Sequence, residues 1–392
     1  MKFHIATEEE IKEGKTTDVY FLRTKEILEK LGVKKRVWAE FTVMNPPYDW
    51  VVFAGLDEVL HLMEGKNVNI YALPEGTIFT RRDYHGYPIP VMAIEGDYKE
   101  FAVYETPILG LICQASGIAT KAARIRLAAG DSLVLSFGVR RMHPAISPMI
   151  DRATYIGGCD GVSSILGAEH IGKNPKGTMP HALILTIGEE EAWRKFDEVV
   201  SKNVPRIALI DTFGDEKFEA IKAAELLKDL AAIRLDTPSS RRGNFEDIVR
   251  EVRWELDLRG YKNVGIFVSG GLDEERVRRL KEAGATGFGV GTSLSNAKTI
   301  DYAMDIVEVE GMPLAKRGKL SGAKRVYRCK KCGNFFVIPR DREMKNCPVC
   351  GGELEDMLKP YMLQGKIVGE YPGVDEIREY VLQQLEEREC SF

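Results

Sequence analysis

The sequence lacks long apolar runs: none approaches the length of a membrane span, and the residues after Met1, KFHIATEEE, predict no signal peptide. It also lacks a dominant charge, because the formal net charge is only −4, which argues against a protein that wraps nucleic acid with its whole surface. Glutamine is scarce beside abundant Lys, Arg and Glu, a bias weakly reminiscent of thermophile proteins. Apolar residues make up 44% of the chain and charged residues 29%, as is typical of soluble globular proteins.

The seven cysteines do not form a disulfide framework, because their number is odd and four of them are clustered. The cluster consists of two C-x2-C pairs with fourteen residues between them: Cys329, Cys332, Cys347 and Cys350. Four thiolates at this spacing can surround Zn²⁺ as a tetrahedron, which leaves no open position for catalysis. We therefore predict a structural zinc ribbon at residues 326–356, with iron as the alternative metal, in a chain of the reducing cytoplasm. The remaining cysteines show no comparable spacing: Cys113, Cys159 and Cys390.

The chain of 392 residues is too long for one ordinary hydrophobic core, so we expect two or three domains. Residues 1–105 contain short strand-like segments behind one helix, TTDVYFLRTKEILEKLG, which predicts an α+β N-terminal domain. Residues 106–300 begin with a long helical segment, after which apolar strands alternate with amphipathic helices. In residues 301–392, Gly, Pro and basic residues return, and this segment contains the ribbon.

The central region predicts a parallel sheet, because its strands and helices alternate about every 25–30 residues, as in right-handed βαβ units. The strands are apolar throughout, which indicates burial on both faces. They are SLVLSFG, HALILTIG, RIALIDTFG, AAIRLDT, VGIFVSGG and GFGVGTS. Their number favours an irregular or incomplete (β/α) barrel over an open sheet, so the fold class that we predict is α/β.

Glycine-rich turns follow the last two predicted strands, and each leads into a helix. Their backbone N–H groups and the helix dipole favour an anion there, and the last two strand ends of parallel α/β folds commonly bind phosphate. Either turn alone is more simply structural, whereas two on consecutive strands predict a phosphate site. The candidates are Ser269, Gly270 and Gly271 in one turn, and Gly289, Gly291 and Thr292 in the other.

Two acids and an arginine end the neighbouring strands. Asp211 follows RIALI, and Arg234 and Asp236 lie two residues apart in RLD, so strand alternation points these two side chains to one side. Such carboxylates suit sugar hydroxyls, a metal-bound pyrophosphate or a developing cation, and the arginine suits a phosphate. The simpler interpretation of each acid is a helix N-cap or a salt bridge.

Three further candidates flank the predicted strands. Arg140 and Arg141 follow SLVLSFG and cannot point the same way on a strand. We therefore expect one to bind a ligand and the other to form a structural pair or hold a second anion. His181 in GTMPH directly precedes the predicted strand ALILTIG. A lone histidine there is more often structural, although an imidazole can accept a phosphoryl group as well as a proton.

The ribbon leaves an interpretation of a different class open. Residues 316–345 hold eleven Lys or Arg against two acids, Asp341 and Glu343, which would suit a nucleic-acid-binding protein. The simpler interpretation is that this surface packs on the barrel or attracts a highly anionic substrate. Nucleic-acid binding would also leave the glycines and acids at the strand ends unexplained.

Together these segments resemble the nicotinate phosphoribosyltransferase family, in a form with an appended zinc ribbon like those of archaea. The resemblance covers about residues 10–325 and rests on the order and spacing of DVYF, SGIATKAARIR, FGVRRMHP, GTMPH, IDTFGD, RLD, SGGL, GVGTSLS and KLSG. It implies the type II phosphoribosyltransferase fold, in which C-terminal segments return to a smaller N-terminal domain. The type I alternative would need two acids before a Thr-Gly-Gly-Thr loop, which the sequence lacks.

The resemblance also implies an activity: nicotinate and phosphoribosyl pyrophosphate give nicotinate mononucleotide and pyrophosphate in NAD salvage. It implies Mg²⁺ and, in many members, ATP hydrolysis through a phosphohistidine. It further implies a homo-oligomer with shared active sites, because Tyr20 matches the aromatic residue that a neighbouring subunit places on the pyridine ring.

The other matching positions are carried over residue by residue. Phe137 and Arg140 match the positions that stack on the pyridine ring and hold its acid or amide group, and His181 matches the phosphorylated histidine. The ribose and pyrophosphate positions are matched by Asp211, Arg234 and Asp236. The 5′-phosphate positions are matched by Ser269, Gly270, Gly271, Gly289, Gly291 and Thr292.

One departure from the family pattern concerns the segment RLDTPSSRRG, which stands where the family has Asp-Ser-Gly-Asp after the arginine. The second acid is missing, which bears on Mg²⁺ binding and ATP coupling. The alternative of the same fold is a decarboxylating quinolinate phosphoribosyltransferase. Its substrate has two carboxylates and should require a pocket richer in Arg and Lys, and that family normally lacks the extra C-terminal length. A nicotinamide-using enzyme is a further neighbour, although a neutral amide gives Arg140 less to bind.

Overall fold

The computed structural model describes residues 3–389, apart from the side chains of Arg242 and Glu389. Cys390 lies outside the described residues. The chain forms two compact units, which we call unit 1 (Met1–Thr120 with Lys298–Phe392) and unit 2 (Lys121–Ala297). The boundary between them falls inside one 25-residue helix, Glu105–Ala129.

The first part of unit 1 combines short helices with antiparallel strands. Its helices are α1 (Glu8–Lys12), α2 (Val19–Lys30), α3 (Leu56–Met63), α4 (Tyr98–Phe101) and α5 (Glu105–Ala129). Its strands are β1 (Arg36–Val43), β2 (Trp50–Val52), β3 (Val68–Ala72), β4 (Ile78–Thr80) and β5 (Pro90–Asp97). The helix predicted near the start of the chain is α2, which ends just before Gly32, where φ is 64°.

Unit 2 alternates strands and helices as the sequence predicted. Its strands are β6 (Leu133–Ser136), β7 (Gly161–Val162), β8 (Arg206–Leu209), β9 (Leu230–Leu235), β10 (Gly265–Ser269) and β11 (Gly287–Val290). Its helices are α6 (Ser147–Ile156), α7 (Ile165–His170), α8 (His181–Ile187), α9 (Glu189–Val199), α10 (Glu216–Leu226), α11 (Ser239–Arg242), α12 (Phe245–Leu258), α13 (Glu274–Glu282) and α14 (Thr292–Ser295). Two 3₁₀ turns, Val139–Arg141 and Pro144–Ile146, follow β6.

The six strands of unit 2 form one curled parallel sheet in the order β7-β6-β11-β10-β9-β8. In the part of the chain that the structure describes, the edge strands β7 and β8 do not pair with each other, so the sheet is a half-barrel. This confirms the predicted α/β class and the incomplete barrel. The core lies between the sheet and its helices, where the buried Trp193 donates from Nε1 to the Leu209 carbonyl at 3.1 Å.

One predicted strand is wrong. The segment HALILTIG forms the helix α8, in which only Ile184 is fully buried while Leu185 and Ile187 are exposed. A short apolar run cannot be assigned to strand or helix by its periodicity alone, and this run lacks the burial on two faces that a central strand would need. The sixth strand of the sheet is instead the two-residue β7, which the sequence analysis did not identify.

The remaining part of unit 1 returns to the first part. It contains β12 (Tyr302–Val309), β13 (Met312–Pro313), β14 (Lys324–Cys329), β15 (Phe335–Pro339), β16 (Leu354–Asp356), β17 (Lys359–Leu363), β18 (Lys366–Ile367) and α15 (Val374–Glu389). A seven-stranded antiparallel sheet joins both parts in the order β13-β12-β1-β5-β3-β17-β18. A separate three-stranded sheet, β15-β14-β16, carries the clustered cysteines.

One segment qualifies the expectation that no apolar run reaches membrane length. The helical residues Tyr98–Ala129 are long and apolar enough to cross a bilayer by length and composition alone. More than half of the most apolar part of this segment is buried inside the protein, as in the core helix of a soluble protein.

Candidate active site

The carboxyl ends of five neighbouring strands in unit 2 gather most of the residues that the sequence singled out. Phe137 follows β6, Asp211 follows β8, Asp236 follows β9, Ser269 ends β10 and Gly291 follows β11. Because the strands are parallel, these ends share one edge of the sheet, which is where parallel α/β folds place their active sites. Tyr20 belongs to unit 1, where it is 56% exposed on α2.

Arg234 is the centre of a hydrogen-bond network at this edge. Its guanidinium donates to Ser269 Oγ at 3.0 Å and to Asp236 Oδ2 at 3.1 Å. It also donates to Thr178 Oγ1 at 2.6 Å, and Ser269 Oγ in turn donates to Asp236 Oδ1 at 2.9 Å. Burial lowers the pKa of Arg234, while the carboxylates of Asp236 and Asp211 raise it. Arg234 and Asp236 therefore lie close together as expected, and these hydrogen bonds fix the orientation of both side chains.

Phe137 forms an aromatic surface beside this network. Its ring centroid lies 6.0 Å from that of Phe267, and 5.7 Å from Cζ of Arg234. Gly289 on β11 makes room for the ring, because a Cβ atom at that position would overlap the Phe137 side chain. The glycine is thus required by a close approach, independently of any role for its N–H group. An aromatic ring next to a guanidinium suits a flat aromatic anion.

His181 is the first residue of α8 and contacts a buried acid. Its Nε2 lies 2.9 Å from Oδ1 of Asp211, whose side chain is 1% exposed, while that of His181 is 34% exposed. Asp211 Oδ2 accepts from the Asp236 backbone N–H at 2.6 Å and from Thr237 Oγ1 at 3.2 Å. Since a carboxylate acceptor binds Nε2–H, the neutral imidazole carries its lone pair on Nδ1. His181 is therefore partly exposed and oriented by a buried acid, an arrangement that would suit a base or a nucleophile.

Arg140 and Arg141 lie in a 3₁₀ turn and not on a strand, and both are exposed. Within residues 3–389 neither guanidinium forms a hydrogen bond or an ion pair, so the expected structural pair of one of them is not found. After burial and the two neighbouring carboxylates, the charge of Arg140 is the next influence on the pKa of Arg234, which it lowers. Arg140 therefore lies within electrostatic range of the Arg234 network and is available to an anion.

The two glycine turns are adjacent, because Ser269 and Gly289 are paired in the register of β10 and β11. Gly270 and Gly271 have φ values of 94° and 66°, which favour glycine. The other two phosphate candidates stand where β11 leads into α14: Gly291 and Thr292.

Three side chains of this region were not predicted as site residues: Thr178, Thr237 and Glu219. Thr178 lies inside the motif GTMPH, and Thr237 directly follows Asp236. Each could have been found because it is close in sequence to a predicted site residue. Glu219 lies on α10, where an acid usually faces solvent, and no sequence signal points to its buried position.

The four clustered cysteines converge in unit 1. Their Sγ atoms all lie within 4.8 Å of one another, with 3.5 Å between Cys329 and Cys350 and 3.7 Å between Cys332 and Cys347. Tetrahedral Zn²⁺ with Zn–S bonds of about 2.3 Å separates its sulfur ligands by about 3.8 Å. The donor set and its dimensions therefore fit a metal ion. Among the described residues no other group of His, Cys, Asp or Glu has this arrangement.

Family models match most of the chain. The quinolinate phosphoribosyl transferase N-terminal domain matches residues 18–116, and the corresponding C-terminal domain matches residues 118–305. A nicotinate phosphoribosyltransferase of Mycobacterium tuberculosis is 30% identical over 348 residues, which cover 84% of this chain and 71% of that protein. The nicotinate phosphoribosyltransferase of Bacillus subtilis is 27% identical over 320 residues, which cover 72% of this chain and 63% of that protein.

Solved structures agree with these matches. The nicotinate-nucleotide pyrophosphorylase from Pyrococcus furiosus has a TM-score of 0.94 at 56% identity, over 99% of this chain and 98% of that one. Human nicotinic acid phosphoribosyltransferase shares the fold, with a TM-score of 0.73 at 19% identity over 94% of this chain and 93% of that one. The chain therefore belongs to the family of quinolinate and nicotinate phosphoribosyltransferases, and it is a phosphoribosyltransferase of NAD biosynthesis.

Proposed function

We propose that this protein is a nicotinate phosphoribosyltransferase of NAD salvage, which converts nicotinate and phosphoribosyl pyrophosphate into nicotinate mononucleotide and pyrophosphate. One observation carries the proposal: an aromatic ring and an unpaired arginine, Phe137 and Arg140, lie near the strand-end network of Arg234 and Asp236, the ring 5.7 Å from Cζ of Arg234 and the arginine close enough for its charge to lower the pKa of Arg234. The first pair suits a flat aromatic acid, and the network suits a sugar phosphate.

The proposed reaction is a displacement at the anomeric carbon of the ribose. The pyridine nitrogen forms the new bond to this carbon, the bond to the pyrophosphate oxygen breaks, and its electron pair leaves with pyrophosphate. No general base is needed, because the nitrogen of nicotinate is already unprotonated at neutral pH. Positive charge develops on the ribose, and we assign its stabilisation to the carboxylates of Asp211 and Asp236.

The other candidate residues have roles in binding. Phe137 stacks on the pyridine ring, Arg140 holds its carboxylate, and Arg234 helps to orient the phosphoribosyl group. Tyr20 of the partner subunit covers the other ring face, which makes a homo-oligomer necessary. The 5′-phosphate is held by the two glycine turns, through Ser269, Gly270, Gly271, Gly289, Gly291 and Thr292.

The charges at the site favour nicotinate over quinolinate. Arg234 is already bound to Ser269, Thr178 and Asp236, so Arg140 and Arg141 are the guanidiniums left for substrate carboxylates. Arg140 suffices for the single carboxylate of nicotinate, and because we assign Arg141 to a second anion such as phosphate, no guanidinium is left for the second carboxylate that quinolinate presents. The alternative, a decarboxylating quinolinate phosphoribosyltransferase, is favoured by the description of the matched family models. Nicotinate nucleotide and pyrophosphate are products of either reaction, so the name of the Pyrococcus furiosus protein fits both.

More than half of the cations in the basic run 316–345 are paired with acids, which disfavours nucleic-acid binding. Six of its eleven cations form ion pairs with acids: Lys316 and Lys319 with Asp305, Lys324 with Glu40, Arg325 with Asp356, Arg328 with Glu387, and Lys330 with Glu353. The five other cations of the run are left to replace the counterions of a phosphate backbone.

Three cofactors belong to the proposal, for a protein that we place in the cytoplasm. Zn²⁺ bound by the four cysteines is structural, as in the ribbon form of the family that we proposed from the sequence. Mg²⁺ would come with phosphoribosyl pyrophosphate and would need only one or two protein carboxylates, for which Asp211 and Asp236 are the candidates. ATP, if used, would supply a γ-phosphoryl group for which Nδ1 of His181 would be the acceptor, with ADP released and water later returning the group as phosphate.

A product assay tests the proposal. The protein is incubated with phosphoribosyl pyrophosphate, Mg²⁺ and labelled nicotinate, quinolinate or nicotinamide, each with and without ATP. We expect nicotinate mononucleotide from nicotinate alone, at a higher rate with ATP. Release of CO₂ from quinolinate with no product from nicotinate would establish the alternative.

A further inference from the structure

Glu219 on α10 binds the loop that follows Asp211. Its side chain is buried, and the residue is only 5% exposed. The carboxylate accepts the backbone N–H groups of three consecutive residues: Oε2 from Thr212 at 3.4 Å, and Oε1 from Phe213 at 3.2 Å and from Gly214. Successive N–H groups directed at one carboxylate form a nest for an anion, and these hydrogen bonds are strengthened by charge.

Among the described residues, no other contact of this kind fixes the loop. Phe213 is 65% exposed and Gly214 is also exposed, so apolar burial does not anchor them. Within residues 3–389, the N–H groups of these two residues and of Thr212 donate to no acceptor besides Glu219. A Cβ atom on Gly214 would lie 3.0 Å from Oε1 of Glu219, so glycine allows the close approach.

The position of this loop affects the site because Asp211 directly precedes it in the sequence. The Asp211 side chain is held by the Asp236 backbone and by Thr237, and it binds Nε2 of His181 at 2.9 Å. The side chain and the backbone that follows it thus have separate anchors, and the second anchor is Glu219. We infer that Glu219 is a positioning residue, which holds Thr212–Gly214 so that Asp211 keeps the imidazole of His181 in its bonded orientation.

Two opposing influences act on the charge of Glu219. Burial, and after it the neighbouring carboxyl of Glu189, raise the pKa of Glu219 to about 7, whereas the N–H groups of Gly214 and Phe213 lower it. The loop therefore favours the charged form that binds it. A neutral amide at this position would keep the volume and lose this preference.

The inference rests on the proposed function for its catalytic consequence, so the experiment has two independent readouts. E219Q and E219A are compared with E225Q, which makes the same change at an exposed position of the same helix. The first readout is kcat and KM for nicotinate with ATP present. The second is the downfield imidazole N–H proton resonance of His181, assigned by its absence in H181Q.

We expect E219Q and E219A to lower kcat about 10- to 100-fold with little change in KM, because a small displacement of catalytic groups has this effect. The His181 resonance should broaden or disappear in both variants and persist in E225Q. Unchanged kcat and an unchanged resonance in E219Q would overturn the inference, as would a lower Tm with both readouts unchanged. If the wild-type protein makes no nicotinate mononucleotide, the proposed function fails, and loss of the resonance in E219Q still supports the positioning role.

Discussion

The cysteine cluster of unit 1 and the strand-end site of unit 2 are both built on β-strands, yet they draw on very different lengths of chain. The four Sγ atoms come from residues 329–350. The strand-end network joins Thr178, Asp211, Arg234 and Ser269, which the parallel sheet brings together from separate βαβ units. A local spacing therefore identifies the first cluster, whereas the second depends on strand order.

The two clusters also differ in how their polar groups are used. The four thiol groups face one another and leave no position for a substrate. At the strand ends, Arg140 and Arg141 have no partner within the described residues, and His181 is partly exposed. We therefore propose that the first cluster contributes to stability and the second to ligand binding and chemistry.

The largest effect on turnover at the strand-end site should come from Asp236→Asn. The variant keeps the shape of the side chain and removes the charge next to the developing cation, so we expect kcat to fall about 10³-fold. Asp229→Asn, at an exposed position before β9, is the matched control. Steady-state turnover with nicotinate measures the difference, and equal rates for the two variants would remove Asp236 from the chemistry.

A smaller effect, on binding, is expected for Arg140→Ala. A hydrogen bond to a charged group contributes about 1.5–3 kcal/mol, so KM for nicotinate should rise about 10- to 100-fold. The Tm should stay unchanged, because Arg140 is exposed and unpaired within residues 3–389. Arg141→Ala serves as the control. A larger KM effect in that variant would assign the carboxylate to Arg141.

His181→Ala should remove the stimulation of the rate by ATP and leave the rate without ATP unchanged. We expect the rate with ATP to fall to the rate without ATP, because Nδ1 is the proposed acceptor of the phosphoryl group. His170→Ala, at an exposed position at the end of α7, should keep the full stimulation. Initial rates with and without ATP decide the question. Stimulation retained in His181→Ala would make this histidine structural.

The smallest effect on catalysis is expected from removal of the metal. A chelator, or Cys347→Ser, should lower Tm by about 10 °C, because binding of a structural metal contributes directly to folding free energy. Turnover per folded molecule should change less than about twofold, since four sulfur ligands leave no open position. Calorimetry, metal analysis and activity on the same samples measure this, with Cys113→Ser as the control. A collapse of kcat before unfolding would contradict the division between the two clusters.

Much of the fold could be predicted from the sequence, because burial on both faces gives parallel strands continuous apolar runs. Strands β6 and β8–β11 were found in this way. The prediction of a strand for HALILTIG was wrong, since a short apolar run is compatible with a helix at an edge of the core. Strand β7 was missed because it has only two residues. Predictability was thus lowest where the elements are short.

At the site, strand alternation correctly placed Arg234 beside Asp236. The contact of His181 with Asp211 and the bonds from Glu219 to its loop depend on how α8 and α10 pack, and no local spacing records this packing. The turn that holds Arg140 and Arg141 was missed for a similar reason, because the end of β6 decides whether alternation still applies to them.

The seven-stranded sheet has a consequence for the order in which the chain matures on the ribosome. Unit 2 is continuous and has all of its strands once Ala297 has emerged. The nascent strands β1 and β3, in contrast, must wait for β12 and β17, which are synthesised near the end. Until then both are unpaired edges, the kind of surface on which incomplete proteins aggregate. Truncation of the last part of the chain would therefore lower the yield of folded protein more than the activity of the molecules that do fold.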